Sequence, residues 1–275
     1  MATRSAAIAS RLGPADTVAL GRLLDRDPVA NAYLRSELGG GLDGGDWWGV
    51  ADDGEVLAAV LGGALAWPYI PDPDDGPALA AVLAGTGEPR MVVGPRASVL
   101  ALHRSFAPVR PVREQRDPQP LLAIGRDELA VDPSAPVRRA VLADLDTLVV
   151  ASAAMHREEM GSDPLAGDAL GWRARMAALV SRGWSWVWTE GKRIVFKAEL
   201  SAWNADVVQI QGVYTAPDRR REGIASRGLA SVCAQLLEEV PLCSLYVNSY
   251  NGTALRVYRR LGFREVGAFC TVFYR

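Results

Sequence analysis

One order of patterns occurs twice in this chain, and it limits the folds open to it more than any other feature. In "PADTVALGRLLDRDPVANAYLRSEL" (14–38) apolar residues such as Val18, Leu20, Leu23 and Leu24 recur at helical spacing. "WWGVADDGEVLAAVLGG" (47–63) then reads as strand, Asp-Asp-Gly turn and strand. Further along, "VLADLDTLVVASAAMHREEM" (141–160) again has a helical period, and "WSWVWTEGKRIVFKAEL" (184–200) again reads as a hairpin with a Gly-containing turn. Helix followed by hairpin is common in α+β proteins, so the repetition fits either one large α+β fold or a tandem pair of related folds.

Between the copies proline crowds "APVRPVREQRDPQP" (107–120) and "VDPSAP" (131–136), on either side of the short apolar run "PLLAIG". Proline fixes φ, removes a donor and biases its predecessor toward extended backbone. An ordered crossover is therefore expected near 125–135. It divides the chain into residues 1–130 and residues 131–275, each long enough to bury a core.

Composition narrows the function classes. The 275 residues are 49% hydrophobic and 23% charged, with a net charge of −2, so nothing draws the chain as a whole toward nucleic acid or an anionic membrane. The longest apolar run, "VLAAVLGGALAW" (56–67), is shorter than a spanning helix requires. The N-terminal "MATRSAAIASRLGP" lacks an apolar signal core because Arg11 interrupts it. A cytoplasmic protein is the expectation. Cys233, Cys243 and Cys270 lack paired metal-site spacing, and His103 and His156 lie far apart, so no metal centre is expected.

The candidate site lies in the second half. "DVVQIQGVY" (206–214) reads as a strand with one polar face, and Pro217 ends it. Arg219, Arg220, Arg221, Glu222 and Gly223 follow, and then Ala225, Leu229, Val232, Cys233 and Leu236 mark one face of a helix. A helix start has unpartnered N–H groups and partial positive charge. Arginines and a glycine at that point make an anion cradle suited to a diphosphate. A Walker loop would need Gly-Lys-Ser/Thr and a dinucleotide fingerprint three glycines, and neither is present. The first half has no such loop before its helix.

Arg220-Arg221-Glu222-Gly223-Ile224-Ala225 resembles the (Gln/Arg)-x-x-Gly-x-(Gly/Ala) motif of the GNAT superfamily of acyl-CoA-dependent N-acyltransferases. "LYVNSYNGTALRVYRRLGF" (245–263) is similar to that superfamily's second motif of strand, Asn, Tyr-bearing helix and Gly-Phe. The resemblance covers about residues 135–275. More weakly, the whole chain is similar to two-domain members such as the glycine N-acyltransferase-like group. It implies an α+β fold, with a mixed, mostly antiparallel sheet flanked by helices, in tandem GNAT-like domains. Residues 1–130 would be a degenerate copy without the cofactor loop, and residues 131–275 the catalytic domain.

The resemblance further implies acetyl-CoA as co-substrate. The amides from Arg221 to Ala225 would hold its diphosphate, with Arg220 and Glu222 in the motif. The backbone of Val213, Tyr214 and Thr215 would hold the pantetheine arm and polarise the thioester. Asn251, a candidate helix cap with Thr253 as the second choice, completes the cofactor set. Tyr258 would be the general acid, since a phenol stays protonated at neutral pH and can protonate a leaving thiolate. For the base, Gln209 and Gln211 stand where some relatives carry Glu, and an amide cannot take a proton. Glu159 is ranked first, ahead of Glu158, Glu199 and His156.

The partners implied are acetyl-CoA and an amine acceptor, without nucleic acid or membrane, in a monomer or homodimer. The function implied is acetyl transfer to a small amine, an amino acid or a protein amine by direct attack. A non-catalytic acyl-CoA-binding regulatory module is the alternative. Trp172, Trp184, Trp186 and Trp203 could wall the acceptor cleft or serve as core.

Overall fold

Both hairpins read from the sequence are present in the computed structural model, which describes residues 7–275. Along the chain come β1 (Ala9–Arg11), α1 (Thr17–Leu24), α2 (Ala32–Leu38), β2 (Trp47–Asp52), β3 (Glu55–Leu61) and β4 (Leu65–Tyr69). Next are α3 (Gly76–Thr86), β5 (Met91–Pro95), α4 (Arg96–Phe106) and β6 (Val112–Gly125). Then follow β7 (Arg138–Arg139), α5 (Leu145–Met160), α6 (Pro164–Gly167), α7 (Ala169–Ser181), β8 (Ser185–Glu190) and β9 (Arg193–Trp203). The last elements are β10 (Val207–Thr215), α8 (Ile224–Leu236), β11 (Leu242–Tyr246), α9 (Gly252–Leu261) and β12 (Arg264–Tyr274).

The chain divides into two units, neither continuous in sequence. Unit 1 takes the chain to Leu122, together with Tyr246–Gly252 and Glu265–Arg275. Unit 2 takes Ala123–Leu245 and Thr253–Arg264. The sequence divides instead at a single point near 130, because the affinity of the C-terminal strand for unit 1 has no local signature. In unit 1 that strand, β12, pairs antiparallel with β5, from Phe269 opposite Pro95 to Phe273 opposite Met91.

Each unit repeats one topology. In unit 1, β1–β2, β2–β3 and β3–β4 are antiparallel pairs and β4–β5 is parallel. In unit 2, β7–β8, β8–β9 and β9–β10 are antiparallel and β10–β11 is parallel. Each parallel pair needs a crossover helix, which α3 supplies in one unit and α8 in the other. The mixed, mostly antiparallel sheet with flanking helices expected from the sequence is therefore present twice.

The apolar run at 56–67 covers most of β3 and the start of β4, because Gly62 and Gly63 (φ 127°) turn the chain between them. The chain between β6 and β7, where the crossover near 125–135 is expected, is irregular apart from a short turn at Arg126–Glu128. The proline-rich stretch ahead of it is mostly strand, since β6 starts at Val112. Proline cannot donate in a ladder, yet its carbonyl still accepts. Pro120 O takes the Val247 N–H at 3.2 Å, and Gln119 between the prolines is fixed by Thr271 Oγ1 (2.7 Å) and Asn248 Oδ1 (2.8 Å).

The alternation of strand residues sorts the layers. In unit 1, Phe269 packs with Leu20, Leu23 and Trp47 on one face of the sheet, while Val272 packs with Leu79, Val99 and Leu102 on the other. In unit 2, α5 and α8 both pack on β9 and β10. They lie on opposite faces of that sheet, because Phe196 meets α8 at Gly228 and Glu199 meets α5 at Ser152. A Cβ on Gly228 would lie 2.8 Å from the Phe196 ring. The glycine inside this helix is thus a packing requirement. Gly228→Ala is expected to lower stability by about 1–3 kcal/mol, read as a lower urea midpoint, and an unchanged midpoint would show that the ring yields.

Candidate active site

The site begins where two strands part. β10 pairs with β11 only at Val207, Val208 and Gln209, opposite Leu242, Cys243 and Ser244. On its other edge β10 stays paired with β9 as far as Thr215 opposite Phe196. From Ile210 to Thr215, therefore, β10 pairs with no strand on the β11 side among the described residues, although the strand continues. An extended ligand can add to such an edge through main-chain hydrogen bonds.

Within that segment the strand bulges. Gln211 faces Glu199 and Tyr214 faces Lys197, so Gly212 and Val213 together oppose Ala198. Gly212 takes a φ of 61°, a conformation that glycine adopts without steric cost. Tyr214 turns its ring into the core at 8% exposure. Burial, then the charge of Glu158, raises its pKa above the usual phenol value. With that ring buried, the groups that Tyr214 can turn to the open edge are those of its main chain.

Beyond Pro217 the loop turns through Arg221, a non-glycine residue at φ 68°, and Gly223 at φ 77°. α8 then starts without a side-chain cap, and buried Ile224 anchors its first turn. The arginines divide the work. Arg219 is tied to Glu190 and, at 2.9 Å, to Glu222. Glu222 thus has its charge met inside the loop. Arg220 donates to Thr215 O (3.2 Å) and to Glu158 Oε2 (2.6 Å), which joins the loop to the end of α5. Among the described residues Arg221 has no ion-pair partner, and it is exposed. It is the arginine free to meet an anion.

Unit 1 has a different turn at the corresponding place, between β4 and α3. It carries Asp72, Asp74 and Asp75, and the Asp72 carboxylate accepts the Asp74 N–H at 3.0 Å. Gly76, which begins α3, sits against α4 so closely that a Cβ would lie 2.8 Å from Ala101 O. Carboxylates and backbone occupy the positions where unit 2 offers arginines and open N–H groups.

Tyr258 lies on α9 with 8% exposure and its ring beside Phe263. Burial foremost, then the charges of Glu159 and Cys233, raise its pKa well above that of a free phenol. The structure thus brings Glu159 within electrostatic range of Tyr258, although Glu159 itself is exposed on the last turn of α5. Glu158 is engaged by Arg220. His156 stacks edge-on against Trp172, and its pKa is lowered by burial and then by Arg175. Asn251 is exposed just ahead of α9, with its N–H on Asn248 O (2.9 Å), in a segment that clusters with unit 1.

The sequence reading weighed Glu199 as a base but missed Lys197, its partner. Lys197 is fully buried, with Nζ 2.5 Å from Glu199 Oε1 and 3.2 Å from Gly212 O. Ser152 Oγ donates to the same carboxylate oxygen at 3.1 Å. Glu199 is therefore already committed to two donors. The signal was available, because Lys197 and Glu199 are the only charges between Ile194 and Leu200 and alternation puts both on one face. Of the four tryptophans considered for the cleft, Trp186 is core, with Nε1 on Gln235 Oε1 (2.9 Å).

Among the described residues no helix is long and apolar enough to cross a membrane. Residues 153–263 match the acetyltransferase (GNAT) family, and residues 45–148 match a domain of unknown function, DUF4081. No curated protein matches the chain. Solved structures share the fold over nearly the whole length. A GCN5-related N-acetyltransferase from Sphaerobacter thermophilus is 23% identical, with a TM-score of 0.62 over 98% of this chain and 95% of its own. An acetyltransferase of the GNAT family from Colwellia psychrerythraea is 11% identical, with a TM-score of 0.61 over 97% and 99%. A tandem GNAT protein of the clavulanic acid biosynthesis pathway is 13% identical, with a TM-score of 0.55 over 96% and 98%.

Proposed function

We propose, from the premise that residues 153–263 carry a GNAT acetyltransferase domain, that this chain moves an acetyl group from acetyl-CoA to an amine. The observation that carries the reading is the parting of β10 from β11 beside the bulge at Gly212 and Val213. The open edge suits the amide-rich pantetheine arm, and the free Arg221 with the uncapped start of α8 suits the diphosphate. The catalytic domain corresponds to residues 131–275 as read from the sequence, with 1–130 as a copy that lacks the cradle.

In this reading the neutral amine attacks the thioester carbonyl directly. The C–N bond forms, oxyanion charge develops against a bulge amide, the C–S bond breaks, and Tyr258 protonates the departing thiolate. Glu159, whose charge acts on Tyr258, receives the proton lost by the amine. The acceptor is a small amine, an amino acid or a protein amine, and the protein acts in the cytoplasm as a monomer or homodimer.

The test is thiol release from acetyl-CoA across a panel of amines, with calorimetry for acetyl-CoA itself. Release above the no-enzyme rate supports transfer. Binding without release under every amine leaves an acyl-CoA-binding module instead. Arg221→Ala is expected to weaken acetyl-CoA about tenfold, the worth of one charge-assisted phosphate contact. Equal affinities for the two proteins would remove Arg221 from the cradle.

A further inference from the structure

We infer that Lys197 is a positioning residue for acyl transfer, acting through the carbonyl of Gly212 on the amide of Val213. The inference rests on the thioester being seated at the bulge, as proposed above. A lysine with no exposed surface in the middle of a sheet needs a reason, since burying a charge is costly unless it is paired and hydrogen-bonded. Lys197 is paired, with Glu199 Oε1 at 2.5 Å, and it also donates to the Gly212 carbonyl at the bulge.

The bulge is built around this contact. Gly212 sits at φ 61°, which turns its peptide out of the regular ladder, and its carbonyl accepts from Lys197 Nζ. A Cβ at 212 would lie 2.9 Å from Glu199 Oε2 and 3.2 Å from Lys197 Nζ, so only glycine lets the ion pair come this close to the main chain. Ser152 on α5 holds Glu199 from the other side, at 3.1 Å.

The peptide that contains the Gly212 carbonyl also contains the Val213 N–H. In a planar trans peptide the two point in opposite directions. A cation fixing the carbonyl therefore fixes the N–H, aimed away from the buried pair. Hydrogen bonds also polarise one another in a low-dielectric interior. A peptide whose oxygen accepts from an ammonium is a stronger donor at nitrogen than an ordinary strand amide. Oxyanion stabilisation depends on donors that are in place before charge develops, and Lys197 holds this one in place from within the core.

The test uses the full chain and the double variant Lys197→Met with Glu199→Met. Replacing both members of a buried pair with apolar residues of similar volume is often neutral or stabilising, whereas Lys197→Met alone would strand a carboxylate. The thioester carbonyl stretch of bound carbonyl-¹³C acetyl-CoA is recorded by infrared difference spectroscopy, beside the calorimetric Kd and kcat. In the wild type the band is expected below that of free acetyl-CoA. In the double variant it should move back toward the free value, with Kd within about threefold and kcat lower by about tenfold or more. A merely structural pair would not shift the band at constant affinity. A band and kcat equal to those of the wild type would overturn the inference while leaving acetyl transfer standing. Failure of the wild type to bind acetyl-CoA would overturn both.

Discussion

Tyr258→Phe is expected to lower kcat by about 10²- to 10⁴-fold, the usual worth of a positioned general acid, while acetyl-CoA affinity stays within about twofold. The ring is retained, and with it the packing against Phe263, so only the hydroxyl is removed. Burial and the neighbouring charge of Glu159 raise the phenol pKa. The hydroxyl therefore stays protonated through neutral and mildly alkaline pH, where a thiolate leaving group needs a proton. Any alkaline limb in the rate below pH ~10, the ordinary phenol value, must then come from another group. The His156 pKa is lowered from 6.5, so the imidazole is neutral at pH 7 and any limb that it causes falls on the acid side. An acid limb that survives in Glu159→Gln and vanishes in His156→Ala would transfer the base role to His156. A Tyr258→Phe enzyme with wild-type kcat would end the assignment of Tyr258.

The conformation of the loop was legible because it is local. Strand, proline, arginines, glycine and helix follow one another in sequence, and each constrains its neighbour through φ, missing donors or the helix dipole. The hairpins at Asp53-Gly54 and Gly191 were legible for the same reason. What escaped depends on distant partners. No pattern within 207–215 says that β11 stops following β10 after Gln209. Nothing in 264–274 says that β12 pairs with β5. The division of the three arginines was also hidden, since it is set by Glu190 on the hairpin and Glu158 on α5. Lys197 lies between these cases. Its alternation with Glu199 was visible in the sequence, but the Gly212 carbonyl that gives it a purpose comes from another strand.

Gly262→Ala is expected to be the costliest small substitution in unit 2, at about 3–5 kcal/mol from backbone strain together with overpacking. Gly262 takes a φ of 108°, which L side chains rarely adopt, and a Cβ there would collide with the main-chain oxygen of Glu128. A flexible side chain could swing aside, but a backbone carbonyl cannot. The Ala130 N–H bond to Leu261 O at 2.9 Å holds the two segments at this distance. The loss should appear as a fall in thermal midpoint of roughly 10 °C. Gly167→Ala, whose Cβ would meet open space, should change it by little. The effect should reach the chemistry as well. The turn after α9 is closed by Gly262 N to Arg259 O and Phe263 N to Tyr258 O, both at 3.1 Å. Displacing it moves the helix that carries Tyr258 but leaves the loop from Arg219 to Ala225 in place. Below its melting range the variant should therefore keep acetyl-CoA affinity and lose kcat. Equal loss of both would mean that the unit unfolds as a whole before α9 shifts alone.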